Sequence, residues 1–130
     1  LAWVCEHARI DGYKVCLSGM GADEVISDYG FNGNRYFMHS NFGGLFPDDL
    51  KDIFPWGCFF GSSMESYMIK EEYVGGAYGI ETRYPFLDKE LVQEFLNLEK
   101  DLKNSNYKSV LHEYLQRENV PFVPNVKMGF

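Results

Sequence analysis

The chain has 130 residues, of which 45% are apolar and 17% aromatic, and its formal net charge is −7. This length fits one domain or part of one, and the apolar content excludes a disordered chain. The acidic balance argues against nucleic acid or an anionic membrane surface as the main partner, although a few lysines can still bind a small anion. No apolar run approaches the roughly 18 residues that a membrane-spanning helix needs.

The cysteines Cys5, Cys16 and Cys58 are odd in number and widely spaced, without a C-x-x-C pair. Such a set indicates neither a disulfide scaffold nor a zinc site, so we predict buried free thiols in a reducing compartment and hence a cytoplasmic protein. The sequence starts at Leu1 without a signal-like segment and runs directly into a helical pattern. We therefore interpret it as a portion of a longer protein.

The first thirty residues predict an α/β unit. Residues 1–9 favour a helix, and residues 13–17 form a short strand that ends in three contiguous apolar positions. Strands without alternation belong to parallel sheets covered on both faces, so we expect this strand to lie buried beneath helices. A glycine-rich turn at residues 18–21 follows, and residues 22–29 can form the next helix. The fold class expected from this order is α/β with more helix than strand.

The rest of the chain is predicted to be mostly helical. Residues 30–61 are rich in glycine, asparagine and aromatic residues and lack periodicity, which indicates a long loop with one short helix near Asp48–Phe54. We expect the aromatic side chains of this loop to pack against the domain. Periodicity and capping residues predict three further helices and then a coil, at residues 62–78, 88–98, 106–118 and 120–130.

Residues 17–24, Leu-Ser-Gly-Met-Gly-Ala-Asp-Glu, are the most informative segment. Glycines at the end of a strand let the backbone approach a ligand closely, and the N–H groups that open the next helix can bind an anion. Asp23 and Glu24, in the first helical turn, suit either the helix dipole or a divalent cation. A tight strand-to-helix turn without a ligand remains open as the alternative.

A second segment, residues 79–88, reads Gly-Ile-Glu-Thr-Arg-Tyr-Pro-Phe-Leu-Asp. Pro85 keeps the residue before it out of the helical region, so the segment is predicted to be a fixed, extended connection between two helices. Glu81 and Arg83 lie two residues apart and would point the same way in an extended chain. They can therefore serve a site or form a local salt bridge.

Two lysines complete the set of candidate residues. Lys108 lies in the helix predicted over residues 106–118, and Lys127 lies among apolar residues of the terminal coil. Lone lysines are usually solvated, and charge alone would not single out either of them. The apolar neighbours of Lys127 would hold it near a site if the tail packs against the domain.

In this order the segments resemble the synthetase domain of asparagine synthetases. Leu-Ser-Gly-x-Gly-Ala-Asp-Glu comes first, Gly-Ile-Glu-x-Arg-x-Pro-Phe-Leu-Asp follows, and a lysine and a terminal Lys-x-Gly-Phe come last. The resemblance implies the ATP pyrophosphatase (adenine-nucleotide α-hydrolase-like) fold, with residues 1–130 as the C-terminal portion of the domain. It also implies an ATP-dependent carbon–nitrogen ligase. Such a ligase activates an aspartate-like carboxylate as an acyl-adenylate, releases pyrophosphate and forms an amide with ammonia derived from glutamine.

The resemblance further implies a role for each candidate residue. Ser18 and Gly19 would lie against ATP, and Asp23 would bind the Mg²⁺ that bridges the phosphates. Lys108 and Lys127 would contact the phosphates, and Lys127 would also act catalytically by stabilising charge during acyl transfer. Adenylation builds negative charge on the α-phosphate and the leaving pyrophosphate, which a metal ion and lysines in a dry site can stabilise.

Glu81 matches the family's acid that acts as, or orients, a base for the incoming amine. Elsewhere the sequence departs from the pattern. Met20 stands where asparagine synthetases have Glu and β-lactam synthetases have Tyr, residues 25–29 replace an aromatic-Gly-Gly-Tyr, and residues 72–77 replace Asp-Arg-x-Ser-Met-Ala. A related β-lactam or peptide-cyclising synthetase therefore stays open, as does a non-catalytic interaction or scaffold domain that kept the fold.

The family's pyrophosphate loop, Ser-Gly-Gly-x-Asp-Ser, and its glutaminase domain do not occur in these residues. We therefore expect the missing N-terminal part of the same protein to be a partner of this chain. The isolated chain should expose apolar surface where the rest of the sheet belongs, so we also expect marginal stability or self-association into a homo-oligomer.

Overall fold

The computed structural model describes residues 1–26, 29–31, 34–36, 45–59, 63–106 and 108–124. In chain order the elements are α1 (Ala2–Ile10), β1 (Val15–Leu17), α2 (Ala22–Ile26), β2 (Tyr29–Phe31), β3 (Asn34–Tyr36), α3 (Ser63–Ala77), β4 (Glu81–Arg83), α4 (Lys89–Asn97), α5 (Lys100–Asn104) and α6 (Ser109–Arg117). Short 3₁₀ helices lie at Leu50–Asp52 and Pro85–Leu87. Across these ranges, every helix is too short or too polar to cross a membrane. The architecture is helix-rich with a short parallel sheet, compatible with the predicted α/β class.

The parallel pair β1–β4 organises the region of the candidate site. Residues 15–17 pair in register with residues 81–83. The ladder continues beyond both ends, because Glu81 N–H donates to Lys14 O at 2.8 Å and Ser18 N–H donates to Arg83 O at 2.9 Å. Since the strands run parallel, their carboxyl ends lie at the same edge. The turn after β1 and the extended segment after β4 are therefore neighbours.

One face of this pair is open, which corrects the expectation of a strand buried beneath helices. Cys16 and Thr82 are half-buried, and α3 packs on β4. Gly75 of α3 permits this close packing, because a Cβ there would lie 3.0 Å from Thr82 Oγ1. On the opposite face, Val15 and Leu17 are 50% and 72% exposed. The contiguous apolar run of β1 is thus covered on one side only by the described part of the chain.

The expectation of one long loop over residues 30–61 is also wrong. β2 and β3 form an antiparallel pair in which Tyr29 lies opposite Tyr36. The dipeptide between them in the sequence, Asn32-Gly33, is among the strongest short-range signals for a hairpin, and the prediction overlooked it. The helix predicted over residues 22–29 ends earlier, at Ile26, because β2 begins three residues later.

The later helices agree better with prediction. α3 lies within residues 62–78 as expected, and Asp88 caps α4, with its Oδ1 accepting from the N–H groups of Glu90 and Leu91 at 2.9 and 3.2 Å. The helix predicted over residues 106–118 is shorter, since α6 begins at Ser109. The short helix α5 before it was not predicted.

The hydrophobic core forms around Trp56, which is completely buried. Its ring meets Phe46 and Phe59 edge to face, with centroids 5.3 and 4.9 Å apart. Its Nε1 donates a hydrogen bond of 2.8 Å to the backbone oxygen of Glu24 in α2. Phe46, Trp56 and Phe59 therefore pack inward, as predicted, and Trp56 holds α2 to the core, whereas Phe54 of the same segment is 44% exposed.

Gly21 carries the turn between β1 and α2, and its replacement should destabilise the chain. Its φ is +94°, and a Cβ there would overlap the side chain of Leu87. We expect Gly21→Ala to lower the free energy of unfolding by about 2–4 kcal/mol in urea titrations, from left-handed strain and overpacking together. Gly19→Ala is the matched control, because nothing lies within 4 Å of its Cβ position. Equal losses in the two variants would contradict this account.

The cap of α4 gives a second stability prediction. Asp88→Ala removes the oxygen that satisfies two N–H groups of the first turn, so the free energy of unfolding should fall by about 1 kcal/mol. Asp88→Asn keeps a capping oxygen and should stay within about 0.5 kcal/mol of the original protein. Thermal or urea unfolding of the three proteins measures the difference, and a large loss in Asp88→Asn would assign the effect to charge instead of capping.

Candidate functional site

The candidate site lies at the carboxyl end of β1, the position at which open α/β sheets bind ligands. Ser18 is half-buried and prolongs the ladder with β4, whereas Gly19 is exposed. Nothing lies within 4 Å of the position that a Cβ of Gly19 would occupy. The backbone at Gly19 is therefore open to close approach by a ligand, whereas the Ser18 N–H is already bonded to Arg83 O.

The remainder of the turn is bonded to itself. Met20 N–H donates to Ser18 Oγ at 3.1 Å, and Gly21 N–H donates to Glu24 Oε2 at 3.0 Å. Glu24 is only 3% exposed, and its carboxylate serves the turn in this way. The N–H groups of Met20 and Gly21, just before α2, thus already have acceptors within the turn.

Asp23 and Lys108 form an ion pair although 85 positions separate them in the sequence. Lys108 Nζ donates to Asp23 Oδ1, and the two side chains are only 28% (Asp23) and 25% (Lys108) exposed. Because both groups are largely shielded from water, their attraction is screened less than that of a surface pair. The structure therefore brings together two of the predicted site residues, next to the turn that carries Ser18 and Gly19.

Lys108 is not inside a helix, which corrects the prediction for this residue. It precedes α6 with φ 49° and ψ 47°, in the left-handed region. For a residue other than glycine this conformation costs roughly 1–2 kcal/mol, so the surrounding contacts must offset it. The ion pair with Asp23 is one such contact.

Glu81 forms the local salt bridge that the sequence left open. Its Oε1 lies 2.7 Å from Arg83 Nη2, and both side chains are more than half exposed. The register places the pair on the open face of the sheet, beside Val15 and Leu17. Tyr84 lies outside the helical region, with φ −120° and ψ 82°, as the following proline requires. Lys127 lies outside the described residues, so its predicted place in the site stays a prediction.

Asp23 is the carboxylate of this edge that a divalent cation could use. Among the described residues there is no group of three or more His, Cys, Asp or Glu side chains that could hold a metal ion. Mg²⁺ that accompanies a nucleotide is commonly held by one or two carboxylates, with phosphate oxygens and water completing its octahedron. A single carboxylate is compatible with that arrangement, although Asp23 Oδ1 accepts from Lys108 Nζ in this structure.

A polar cluster on the other face of β4 was not predicted. Tyr84 Oη donates to Glu72 Oε1 of α3 at 2.9 Å. Burial, and then Glu72, raise the pKa of Tyr84 above its usual value. Glu71, the neighbour of Glu72, has a buried Oε2 without a hydrogen-bond partner. No sequence motif marks these residues, because the contact depends on how α3 lies across the strand.

Comparisons with known proteins agree with the resemblance seen in the sequence. The family model described as asparagine synthase matches residues 58–125, which include Glu81 and Lys108 but not Asp23. The chain is 33% identical over 100 residues to the Methanocaldococcus jannaschii protein named "Putative asparagine synthetase 1 (glutamine-hydrolyzing)". That match covers 77% of this chain but only 17% of the relative.

No solved structure gives a significant match, so the fold description rests on the elements given above. The family model alone covers more than half of the 130 residues, and it includes the whole stretch from α3 to α6. The relative matches over most of the chain as well. The chain is a member of the asparagine synthase family.

Proposed function

We propose that this chain forms part of the ATP site of an asparagine synthetase. In this proposal the side-chain carboxylate of aspartate is activated as an acyl-adenylate and then converted to an amide with ammonia from glutamine. The observation that supports it most is the ion pair of Asp23 and Lys108, beside the exposed backbone of Gly19, at the carboxyl end of a parallel strand. The match covers 17% of the relative's length, so the activity proposed is that of the whole protein of which this chain is a part. We propose the cytoplasm as its location.

The proposed roles follow from charge and access. The exposed backbone of Gly19, with Ser18 beside it, would receive the nucleotide, and Asp23 would hold the Mg²⁺ that accompanies it. Bound ATP with Mg²⁺ supplies the leaving group of the activation step. The Lys108 ammonium group lies beside the Asp23 carboxylate, where it would contact phosphate oxygens of a bound nucleotide. A cation fixed in advance in a partly buried place stabilises developing negative charge with little reorganisation.

Glu81 and Lys127 are proposed for the acyl-transfer step. Glu81 lies on the open face of the sheet, where an amine could reach it, and its bond to Arg83 is between exposed groups. Such pairs contribute little net energy, so an incoming ammonia can replace Arg83 at small cost. Lys127, from the terminal coil, would add charge stabilisation at the transferred acyl group.

A non-catalytic domain is the second candidate. The internal bonding of the Met20 and Gly21 N–H groups and the local pairing of Glu81 with Arg83 both favour it. In that case the pair of Asp23 and Lys108 holds α2 to the start of α6 and does nothing more. A third candidate, a β-lactam or peptide-cyclising synthetase, shares the adenylation step and differs in its carboxylate.

Pyrophosphate exchange tests the activation step in the protein as its gene encodes it. Exchange of labelled pyrophosphate into ATP, with aspartate present, should fall by about 100-fold or more in both Asp23→Asn and Lys108→Met, because each removes a charge that the transition state uses. Each variant should also lower the free energy of unfolding by roughly 1–2 kcal/mol, more than the loss of an exposed pair would, because the two side chains are largely shielded from water. Asp48→Asn is the matched control, since it breaks the 2.7 Å pair with Lys100 and should leave exchange unchanged.

The outcomes separate the candidates. Exchange with aspartate supports the asparagine synthetase, whereas exchange only with another carboxylate supports a related synthetase. A protein that neither binds ATP nor exchanges pyrophosphate is the non-catalytic domain. Full exchange activity in Asp23→Asn would show that the ATP site does not lie at this edge of the sheet.

The terminal lysine gives a separate prediction. Lys127→Ala should abolish exchange or amide formation and lower the free energy of unfolding by less than about 0.5 kcal/mol, because a solvated lysine contributes little to folding. Single-turnover assays with ATP and aspartate assign the loss to one step. Lys51→Ala, an exposed lysine in the short 3₁₀ helix, is the control and should stay active. A fully active Lys127→Ala protein would contradict the proposed role.

A further inference from the structure

The left-handed backbone of Lys108 needs a cause within the fold. Residues that cap a helix N-terminus normally have extended φ and ψ, but Lys108 precedes α6 with φ 49°. Among the described residues other than glycine, Asn119 also has a positive φ, but it follows the C-terminus of α6, where that conformation is common. Uncommon backbone conformations persist where neighbouring groups over-determine them, and they concentrate at functional sites.

The neighbouring helix α5 is fixed from both sides. It has only five residues, too few to be stable alone. Lys103 is 4% exposed, and its Nζ donates to the carbonyls of Leu96 and Leu98 at the end of α4, at 2.9 and 2.6 Å. The amide of Asn104 bonds both the N–H and the carbonyl of Phe46, at 3.0 and 2.9 Å. α5 is therefore held to α4 and to the core segment around Phe46.

Ser109 transmits this fixed position to Lys108. It is the first residue of α6, it is 1% exposed, and its Oγ donates to the carbonyl of Lys103 at 3.0 Å. The residue after Lys108 is thus attached to α5, which restricts the backbone of Lys108 from its C-terminal side. The ion pair shows where the ammonium group of Lys108 then lies.

We infer that Ser109, anchored on the Lys103 carbonyl, is a positioning residue that holds Lys108 in its left-handed conformation and thereby places its ammonium group at Asp23. The structural part of this inference stands on the hydrogen bonds just given. Its consequence for catalysis rests on the proposed function, in which Lys108 contacts the phosphates of ATP. The experiment therefore needs one readout that is independent of activity and one that depends on it.

The independent readout is the coupling between Asp23 and Lys108. A double-mutant cycle with Asp23→Asn and Lys108→Met, measured by urea unfolding, gives this coupling in the original chain and in a Ser109→Ala background. We expect Ser109→Ala to reduce it by at least half. Ser105→Ala is the matched control, because Ser105 Oγ also donates to a carbonyl of α5, that of Leu102 at 3.1 Å, but at an exposed position. It should leave the coupling unchanged.

The dependent readout is ATP use in the whole protein. Ser109→Ala should raise the KM for ATP and lower kcat, with kcat/KM falling about tenfold, because a displaced Lys108 contacts the phosphates less well both in bound ATP and in the transition state. A residue that only supports the fold would lower the amount of active protein without changing KM. If Ser109→Ala does not fold, Ser109→Cys, of similar size and with a weaker donor, takes its place in both measurements.

The results distinguish the two proposals. If Ser109→Ala reduces the coupling between Asp23 and Lys108 but the original protein has no exchange activity, the positioning role is supported and the proposed function is contradicted. An unchanged coupling with an unchanged KM overturns the positioning role, whether or not the protein is active. A coupling near zero in the original chain overturns it as well.

Discussion

The parallel pairing of residues 15–17 with residues 81–83 is the constraint on which the rest of the site depends. Two segments more than sixty residues apart become neighbours, with their carboxyl ends at one edge. That edge then has to accommodate a turn, and the turn can be tight only because Gly21 lacks a side chain where Leu87 approaches. Leu87 belongs to the segment after β4, so the pairing that creates the edge also shapes the turn upon it.

Besides its own hydrogen bonds, the turn is supported by the core. Glu24 is central, because its carboxylate accepts from Gly21 while its backbone oxygen accepts from the indole of Trp56 and lies 3.6 Å from Cys58 Sγ. A buried acid here is tolerated because it is hydrogen-bonded. Asp23, the preceding residue in the chain, can then face outward and meet Lys108. Within one helical turn, the carboxylate of Glu24 therefore faces the turn and the core, whereas that of Asp23 faces Lys108.

Local chemistry explains which parts could be predicted from the sequence. The cap at Asp88, the non-helical residue before Pro85 and the periodicity of α3 each depend on residues close together in the chain, and all three agree with the structure. The family motifs named Asp23 and Lys108, which the structure joins. The burial of β1 was mispredicted, because contiguous apolar residues indicate a preference for burial and do not show which element covers the strand. Similarly, no sequence pattern around Ser109 predicts its hydrogen bond to the backbone oxygen of Lys103, because that contact depends on how α5 is held against α4 and the core.

The position of Trp56 has a consequence for observing this protein in solution. The sequence has two tryptophans, and they lie in opposite environments, with Trp56 fully buried against α2 and Trp3 67% exposed on α1. The indole of Trp56 is bonded to the backbone of the residue that follows Asp23. Replacing Trp3 by phenylalanine would leave Trp56 as the one tryptophan of this sequence, hydrogen-bonded to the helix that carries the candidate metal ligand. Movements of that helix when a nucleotide arrives would then be readable as emission changes, without any label.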